Sequence, residues 1–147
     1  TFCLKFGLNA HNSKILTTSG EALNFLAIGT GREATSAIIA RHDAGAVAKA
    51  SYAAGVADAY TTATASDWFL PSKDELNEVC KYARNTGQAA DPDRVCAGGV
   101  VGNGFSPASY WSSSDVGEYA WFQRFILGNQ NNDAKSSTDY VRPVRAF

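Results

Sequence analysis

The chain has 147 residues, of which 45% are hydrophobic and 18% charged, a balance that excludes disorder and predicts one globular domain over residues 1–147. Its 13 Lys and Arg residues are offset by 14 Asp and Glu residues, and the net charge of −1 provides no positive field that would attract nucleic acid. No apolar run approaches the roughly 18 residues of a membrane-spanning helix, so direct membrane insertion is not expected. No signal peptide is visible, and any targeting segment is expected to lie outside this sequence or to have been removed.

The first third of the chain carries weak local signals. Alternating apolar residues predict a short strand within 1–8, residues 10–13 are predicted to form a turn, and residues 15–16 to begin another short strand. Apolar and small residues at helical spacing predict a helix over 35–54, although Gly45 weakens it.

A capping box gives the clearest local signal. Ser72 is a good N-cap residue, and Glu75 follows it at the third position, so the two can satisfy each other's backbone N–H groups. An apolar stripe at helical spacing then predicts a helix over 72–85, and it comprises Leu76, Val79, Cys80 and Ala83. Asp74 and Glu75 could also suggest acid–base chemistry, but capping and the helix dipole explain them better.

The second half of the chain changes to β patterning. Residues 89–107 lack periodicity and predict a long loop, after which strands are predicted at 110–112, 120–127 and 139–147. The polar run 128–135 is predicted to be a turn between the last two strands. Two helices followed by a twisted antiparallel sheet with long loops predict an α+β fold.

The three cysteines leave two interpretations open. Cys80 and Cys96 could form a disulfide across a polar loop, which would imply an oxidising compartment, or they could be buried free thiols. Cys3 has no evident partner. The spacing of the cysteines, together with the isolated His11 and His42, does not suit a zinc site, so no metal is expected.

Several sequence blocks, in a fixed order, support a family assignment. They are 67–77 (DWFLPSKDELN), 110–114 (YWSSS), 120–121 (AW) and 140–147 (YVRPVRAF), preceded by the shorter 28–31 (IGTG). Together they resemble the DUF1566 family, also called the Lcl C-terminal domain family, from Ile28 to the last residue of the sequence.

This resemblance implies a C-type-lectin-like fold, a bacterial or phage-encoded protein outside the cell or at its surface, and a role in adhesion to a glycan or protein ligand. It favours the Cys80–Cys96 disulfide over free thiols. Some relatives are trimers, so a homo-trimer is an expectation, and no cofactor is implied. Related domains that end in a similar block serve as variable receptor proteins of diversity-generating retroelements, which is the alternative function.

The C-terminal strands are predicted to carry the ligand surface, because they mix aromatic faces with adaptable hydrogen-bonding groups. Tyr119 and Phe122 could stack on a sugar, and Arg124 and Lys135 could bind a carboxylate or sulfate. The alternative is that these residues form an ordinary polar sheet face that binds no ligand. The predicted ligand residues are Asp115, Glu118, Tyr119, Phe122, Gln123, Arg124, Asn129, Gln130, Asn131, Asn132, Asp133 and Lys135.

Other conspicuous residues are predicted to be structural. Trp68, Trp111, Trp121 and Phe125 are expected in the core, and calcium-dependent sugar motifs are absent from the sequence. The arginines of the closing block, Arg142 and Arg145, are expected to bond to buried carboxylates or carbonyls.

Enzymatic activity is the other function class. The formylglycine-generating oxidases use a related fold, but they depend on a reactive cysteine pair. A structural disulfide between Cys80 and Cys96 would remove that chemistry, and neither histidine has an evident nucleophile partner in the sequence. No enzymatic activity is therefore expected.

Overall fold

The computed structural model of the protein describes residues 4–6, 10–14, 25–85 and 96–146. This part of the chain forms three α-helices and seven strands, which confirms the α+β prediction with one helix more than expected. The elements are β1 (Leu4–Phe6), β2 (Ala10–Lys14), α1 (Gly31–Ala44), α2 (Ala53–Ala59), α3 (Lys73–Ala83), β3 (Ser109–Val116), β4 (Tyr119–Arg124), β5 (Gln130–Ala134), β6 (Thr138–Val141) and β7 (Val144–Ala146).

Five strands form the main sheet in the order β2-β6-β3-β4-β5, and β1 pairs with β7 in a second, two-stranded sheet. The predicted meander is present as β3-β4-β5. The sheet is mixed rather than antiparallel throughout, because β6 runs parallel to β3. Among the described residues β5 is an outer strand of the main sheet, and this places the ribbon of β4 and β5 at its edge.

Helix α3 begins where the sequence predicts, because the capping box is formed. The Ser72 hydroxyl accepts a hydrogen bond from the Glu75 backbone N–H at 3.3 Å, and the Glu75 carboxylate accepts one from the Ser72 N–H at 2.8 Å. The carboxylate also accepts the Gly29 N–H at 2.8 Å. Burial raises the pKa of Glu75, and these backbone donors oppose that rise. A local motif therefore also ties the segment before α1 to the start of α3.

The prediction of one continuous helix over 35–54 is wrong, because the helix is interrupted in the middle of this range. Helix α1 ends at Ala44, Ala46 adopts a left-handed conformation with φ of 54°, and a short 3₁₀ turn separates α1 from α2. The fully buried Tyr52 stands between the two helices in an extended conformation, so its side chain enters the core. Gly45 weakens local helicity, and the burial of Tyr52 then favours the break.

Two hydrophobic clusters of the described residues lie on opposite sides of the sheet. Tyr110 and Trp111 are adjacent in β3 but enter different clusters, since successive strand residues point to opposite faces. Trp68 and Trp111 are buried, as predicted. The first cluster is Ile38, Tyr52, Ala53, Ala54, Ala57, Leu70, Trp111, Ala120, Phe122 and Val141, and the second is Phe69, Leu76, Val79, Cys80, Ala83, Cys96, Phe105, Tyr110, Phe125 and Val144.

The disulfide favoured by the resemblance is formed between Cys80 of α3 and Cys96, whose Cα atoms lie 6.0 Å apart. Beside it the buried Arg84 donates hydrogen bonds to main-chain carbonyls of two loops. These acceptors are Gly98 at 2.8 Å, Gly99 at 3.3 Å, Ile126 at 2.7 Å and Phe125. In the described part of the predicted loop, 96–107, there is neither helix nor strand, so the disulfide and Arg84 hold its backbone.

Two turn predictions and one strand prediction need correction. The local pattern of residues 10–13 predicts a turn, but they belong to β2, and the predicted polar turn 128–135 contains β5. The last predicted strand, 139–147, is two strands separated by Arg142 and Pro143. Pairing with another strand overrides the local pattern, since β2 pairs with the distant β6 and β5 pairs with the adjacent β4. The strand predicted at 15–16 and the cysteine at position 3 lie outside the described residues.

Candidate functional site

The ribbon of β4 and β5 has two faces, and the predicted ligand residues are divided between them. Tyr119 pairs with Ala134, Trp121 with Asn132 and Gln123 with Gln130, and we call the side they share the aromatic face. The opposite side, here the charged face, carries Ala120, Phe122, Arg124, Asn131 and Asp133. One small ligand lying flat on the ribbon cannot contact both faces.

The aromatic face is open at one end. Tyr119 is 50% exposed, Trp121 is partly buried, and the amide of Asn132 is exposed directly across from Trp121. The ammonium group of Lys73, at the start of α3, lies 5.3 Å from the centroid of the Trp121 ring. Two rings, an amide and a cation therefore lie close together at the surface.

The other end of the aromatic face is closed by α3. Gln123 is fully buried, and its amide donates to the Asn77 side chain and to the Gly128 carbonyl, both at 3.1 Å. The Gln130 amide donates to the Lys73 carbonyl at 2.7 Å and to the Gln123 side chain at 3.0 Å. These two glutamines, predicted as ligand residues, instead join the ribbon to α3, because buried amide groups need partners inside the protein.

The two neighbouring aromatic residues of β4 are oriented opposite to the prediction. Phe122, expected to stack on a ligand, is only 5% exposed and packs edge-on against Trp111 at 5.9 Å between ring centroids. Trp121, expected in the core, is only partly buried. The strand register decides this, because a shift of one residue exchanges the two faces.

A buried ion pair accounts for two more predicted ligand residues. The ammonium of Lys135 lies 2.7 Å from the carboxylate of Asp115, and it also donates to the Gly117 carbonyl at 2.6 Å. Both side chains are buried, so Lys135 neutralises Asp115 inside the β3–β4 hairpin and does not reach a ligand at the surface. Removing one partner would leave an uncompensated buried charge.

The polar residues around β5 have distinct environments. Asn131 and Asp133 each accept a hydrogen bond from the backbone N–H of the next residue, at 2.9 and 2.7 Å. Asn129 is partly buried, and no described residue forms a hydrogen bond with its side-chain oxygen. Glu118 and Asn132 are exposed, and no side-chain hydrogen bond is found for either within the described residues. These two side chains stay open to a ligand.

An acidic residue of β6 adds to the charged face. Asp139 is partly buried, and burial together with the nearby Asp133 raises its pKa to about 6, against the opposing effect of Arg124. Arg124 itself lies over the ring of Phe122, 5.4 Å from its centroid. The charged face is therefore an acidic pair beside one guanidinium group.

We expect Asp139→Asn to stabilise the protein at pH 7 by about 2 kcal/mol, since a neutral amide removes a disfavoured charge. The carboxyl has a higher pKa when folded than when unfolded, so its protonated form stabilises the fold below about pH 4. That contribution is lost as the pH rises towards 6. Urea unfolding at pH 4 and pH 7 measures the difference, with the exposed Glu118→Gln as control. An equal effect of Asp139→Asn at both pH values would contradict this assignment.

Two contributors to the open end were not predicted as ligand residues. Lys73 is the first residue of α3, and its position in the capping motif gives no indication in the sequence of a surface role. Trp121 could have been found from its spacing, because residues two apart on a strand share a face and Tyr119 was already a candidate. The proximity of Lys73 to Trp121 depends on tertiary packing and leaves no sequence signal.

The closing-block arginines serve the scaffold. Arg142 donates to the Gly104 carbonyl at 3.3 Å and lies 3.9 Å from the centroid of the Phe105 ring. Arg145 forms an ion pair with Asp67, a partly exposed carboxylate rather than the buried one expected. In the residues that the structure describes, no cluster of three or more His, Cys, Asp or Glu side chains could hold a metal ion. None of the helices in the described residues has the length and apolar composition of a membrane-spanning helix.

The fold and surface together define a disulfide-linked α+β domain with an exposed aromatic ribbon at the edge of its sheet. The model of the Lcl C-terminal domain family matches residues 22–145, and the chain belongs to this family. Strands β1 and β2 precede the matched region. No curated protein matches the chain. No solved structure matches it either.

Proposed function

We propose that the protein is a non-catalytic, adhesin-like module that binds a glycan at the open end of the aromatic face. The observation that supports this most is the alignment of Tyr119, Trp121 and Asn132 on one exposed side of the ribbon. Aromatic rings offer flat apolar surfaces against which the C–H faces of a sugar can pack. The amide of Asn132, across from Trp121, can bond to sugar hydroxyls.

The charge next to the rings favours a sugar that carries an acidic group. Lys73 keeps its ammonium close to the Trp121 ring, and its side chain is 23% exposed. Asp74 lies 3.4 Å from that ammonium and partly offsets it. An acidic substituent would therefore gain a moderate electrostatic contribution, while stacking provides most of the contact.

An extracellular location fits the cysteine chemistry. Cys80 and Cys96 are fully buried and bonded to each other, and such structural disulfides persist mainly in oxidising compartments. The same pairing weighs against an oxidase that depends on an accessible thiol, since neither sulfur is exposed as a nucleophile. We therefore place the domain outside the cell, as a binding module.

Replacing Tyr119 with Ala is expected to weaken glycan binding about fivefold or more, because it removes a stacking contact worth about 1 kcal/mol. Asn132→Ala should weaken it as well, by the loss of a hydrogen bond. A glycan array identifies the ligand, and calorimetry with the best hit measures the affinities.

Arg124→Ala is the matched control, because Arg124 belongs to the charged face of the same strand. Its affinity should stay within about twofold of that of the unsubstituted protein. Loss of binding in Arg124→Ala, with full binding in Tyr119→Ala, would place the ligand on the charged face and overturn the proposed surface.

A second candidate is a retroelement-diversified receptor, in which the ligand residues are exchanged by mutagenesis. It is supported by the exposure of Glu118, Tyr119 and Asn132, whose side chains can be replaced without loss of core packing. A reverse transcriptase gene beside the coding sequence, with a near-repeat differing at adenines, would favour this candidate over a fixed adhesin.

A further inference from the structure

Strand β5 leaves one backbone edge uncovered in the described part of the sheet. Its pairing with β4 fixes which groups point outwards, because the Arg124 N–H donates to the Asn129 carbonyl at 2.9 Å and the Lys135 N–H donates to the Glu118 carbonyl at 3.3 Å. Odd-numbered residues of β5 therefore exchange hydrogen bonds with β4. The N–H groups of the even-numbered residues Gln130, Asn132 and Ala134 consequently point away from the sheet.

Two of these three outward N–H groups, those of Asn132 and Ala134, are satisfied by side chains of β5 itself. The Asn132 N–H donates to the side-chain oxygen of Asn131 at 2.9 Å, and the Ala134 N–H donates to the carboxylate of Asp133 at 2.7 Å. Each acceptor comes from the residue immediately before the donor, and both are exposed. The repeat of this arrangement at alternate residues gives the edge a regular set of local caps.

We propose that Asn131 and Asp133 close the free edge of β5 against the addition of another strand. An uncovered edge normally offers its N–H groups to a neighbouring chain, which leads to strand pairing between molecules. Here a partner strand would have to displace two existing hydrogen bonds, one of them to a charged acceptor. A corollary, which rests on the proposed function, is that the ligand contacts the side chains of the aromatic face and does not extend the sheet.

This assignment gives Asn131 and Asp133 a role different from direct ligand contact. The carboxylate of Asp133 also places a negative charge along the edge, and charges on edge strands oppose association. In the described part of the main sheet the opposite edge is formed by β2, and Asn131 and Asp133 do not affect that edge. Copies of the domain displayed close together would thereby remain separate at β5.

The test compares the full chain with Asn131→Ala/Asp133→Ala, which removes both acceptors. We expect a larger mass than that of the unsubstituted protein at the same concentration in light scattering after size-exclusion chromatography. We also expect amide hydrogen exchange of Asn132 and Ala134, measured by NMR in dilute solution, to accelerate about tenfold as the caps are lost.

The matched control is Asn131→Asp/Asp133→Asn, which exchanges the two side chains and leaves composition and net charge unchanged. It should keep the mass and both amide exchange rates of the unsubstituted protein. Asp133→Asn alone retains the acceptor without the charge, so its mass separates the two contributions: it should stay closer to that of the unsubstituted protein than to that of Asn131→Ala/Asp133→Ala.

An unchanged mass and unchanged exchange in a folded Asn131→Ala/Asp133→Ala protein would overturn the proposal. If the double variant fails to fold, Asn131→Ala is expected to accelerate amide exchange at Asn132 only, and Asp133→Ala at Ala134 only. Exchange rates in both single variants that equal those of the unsubstituted protein would overturn the proposal. Glycan binding by Tyr119→Ala is measured separately, so failure of the edge assignment is distinguishable from failure of the proposed function.

Discussion

Gly128→Ala is expected to destabilise the protein by at least about 4 kcal/mol, from a steric overlap added to left-handed backbone strain. Gly128 has φ of +82°, and a Cβ there would overlap the carbonyl oxygen of Cys96 and lie 2.6 Å from its carbonyl carbon. The Cys96 N–H donates to the Gly128 carbonyl at 3.0 Å, and its sulfur is bonded to Cys80. Cys96 therefore cannot move away to accommodate a methyl group.

Gly104→Ala is the matched control, because Gly104 has a similar φ of +77° and no atom within 4 Å of the corresponding Cβ. It should cost only the conformational strain, about 1–2 kcal/mol. Urea unfolding measures both variants, and titration of free thiols in folded Gly128→Ala should show incomplete Cys80–Cys96 pairing. Equal stability of the two variants would show that the contact with Cys96 is not restrictive.

Arg84→Lys is expected to lower the free energy of unfolding by about 2–3 kcal/mol, although the positive charge is retained. The planar guanidinium group donates to carbonyls of two separate loops, among them Gly98 at 2.8 Å and Ile126 at 2.7 Å. A lysine ammonium is a single point with three donors and cannot span both loops. Some of the buried carbonyls would then lose their partner.

The control for this prediction is the same substitution at Arg32. That side chain is 47% exposed and pairs with Asp67 at 3.5 Å, so Arg32→Lys should change stability by less than about 0.5 kcal/mol. Chemical denaturation followed by tryptophan fluorescence compares the two variants. A similarly small effect at both positions would mean that water or a relaxed loop replaces the bonds of Arg84.

Only part of the candidate site could be predicted from the sequence. Tyr119, Glu118 and Asn132 are predicted as ligand residues and are exposed, because Glu118 and Tyr119 lie at a turn and Asn132 lies on an outer strand. Gln123 and Lys135 are polar residues of the same kind, but they are buried and their partners lie inside the protein. Composition alone cannot separate these cases, since a buried and an exposed polar group differ only in what lies next to them.

Local chemistry was enough wherever neighbouring residues interact. The sequence by itself determined the start of α3, because Ser72 and Glu75 exchange hydrogen bonds within one helical turn. Ordered motifs that span most of the chain also indicated the family, and the resemblance favoured the pairing of Cys80 and Cys96 that the structure contains.

Only the tertiary structure decided which face each ribbon residue occupies and that the polar run around Asn131 is a strand. The side-chain period of a strand is two, so the register set by pairing with β4, rather than the hydrophobicity of Trp121 or Phe122, determines which ring is buried. The approach of Lys73 to Trp121 likewise required α3 to dock on the sheet. Interactions between residues far apart in the chain depend on packing, and no local pattern encodes them.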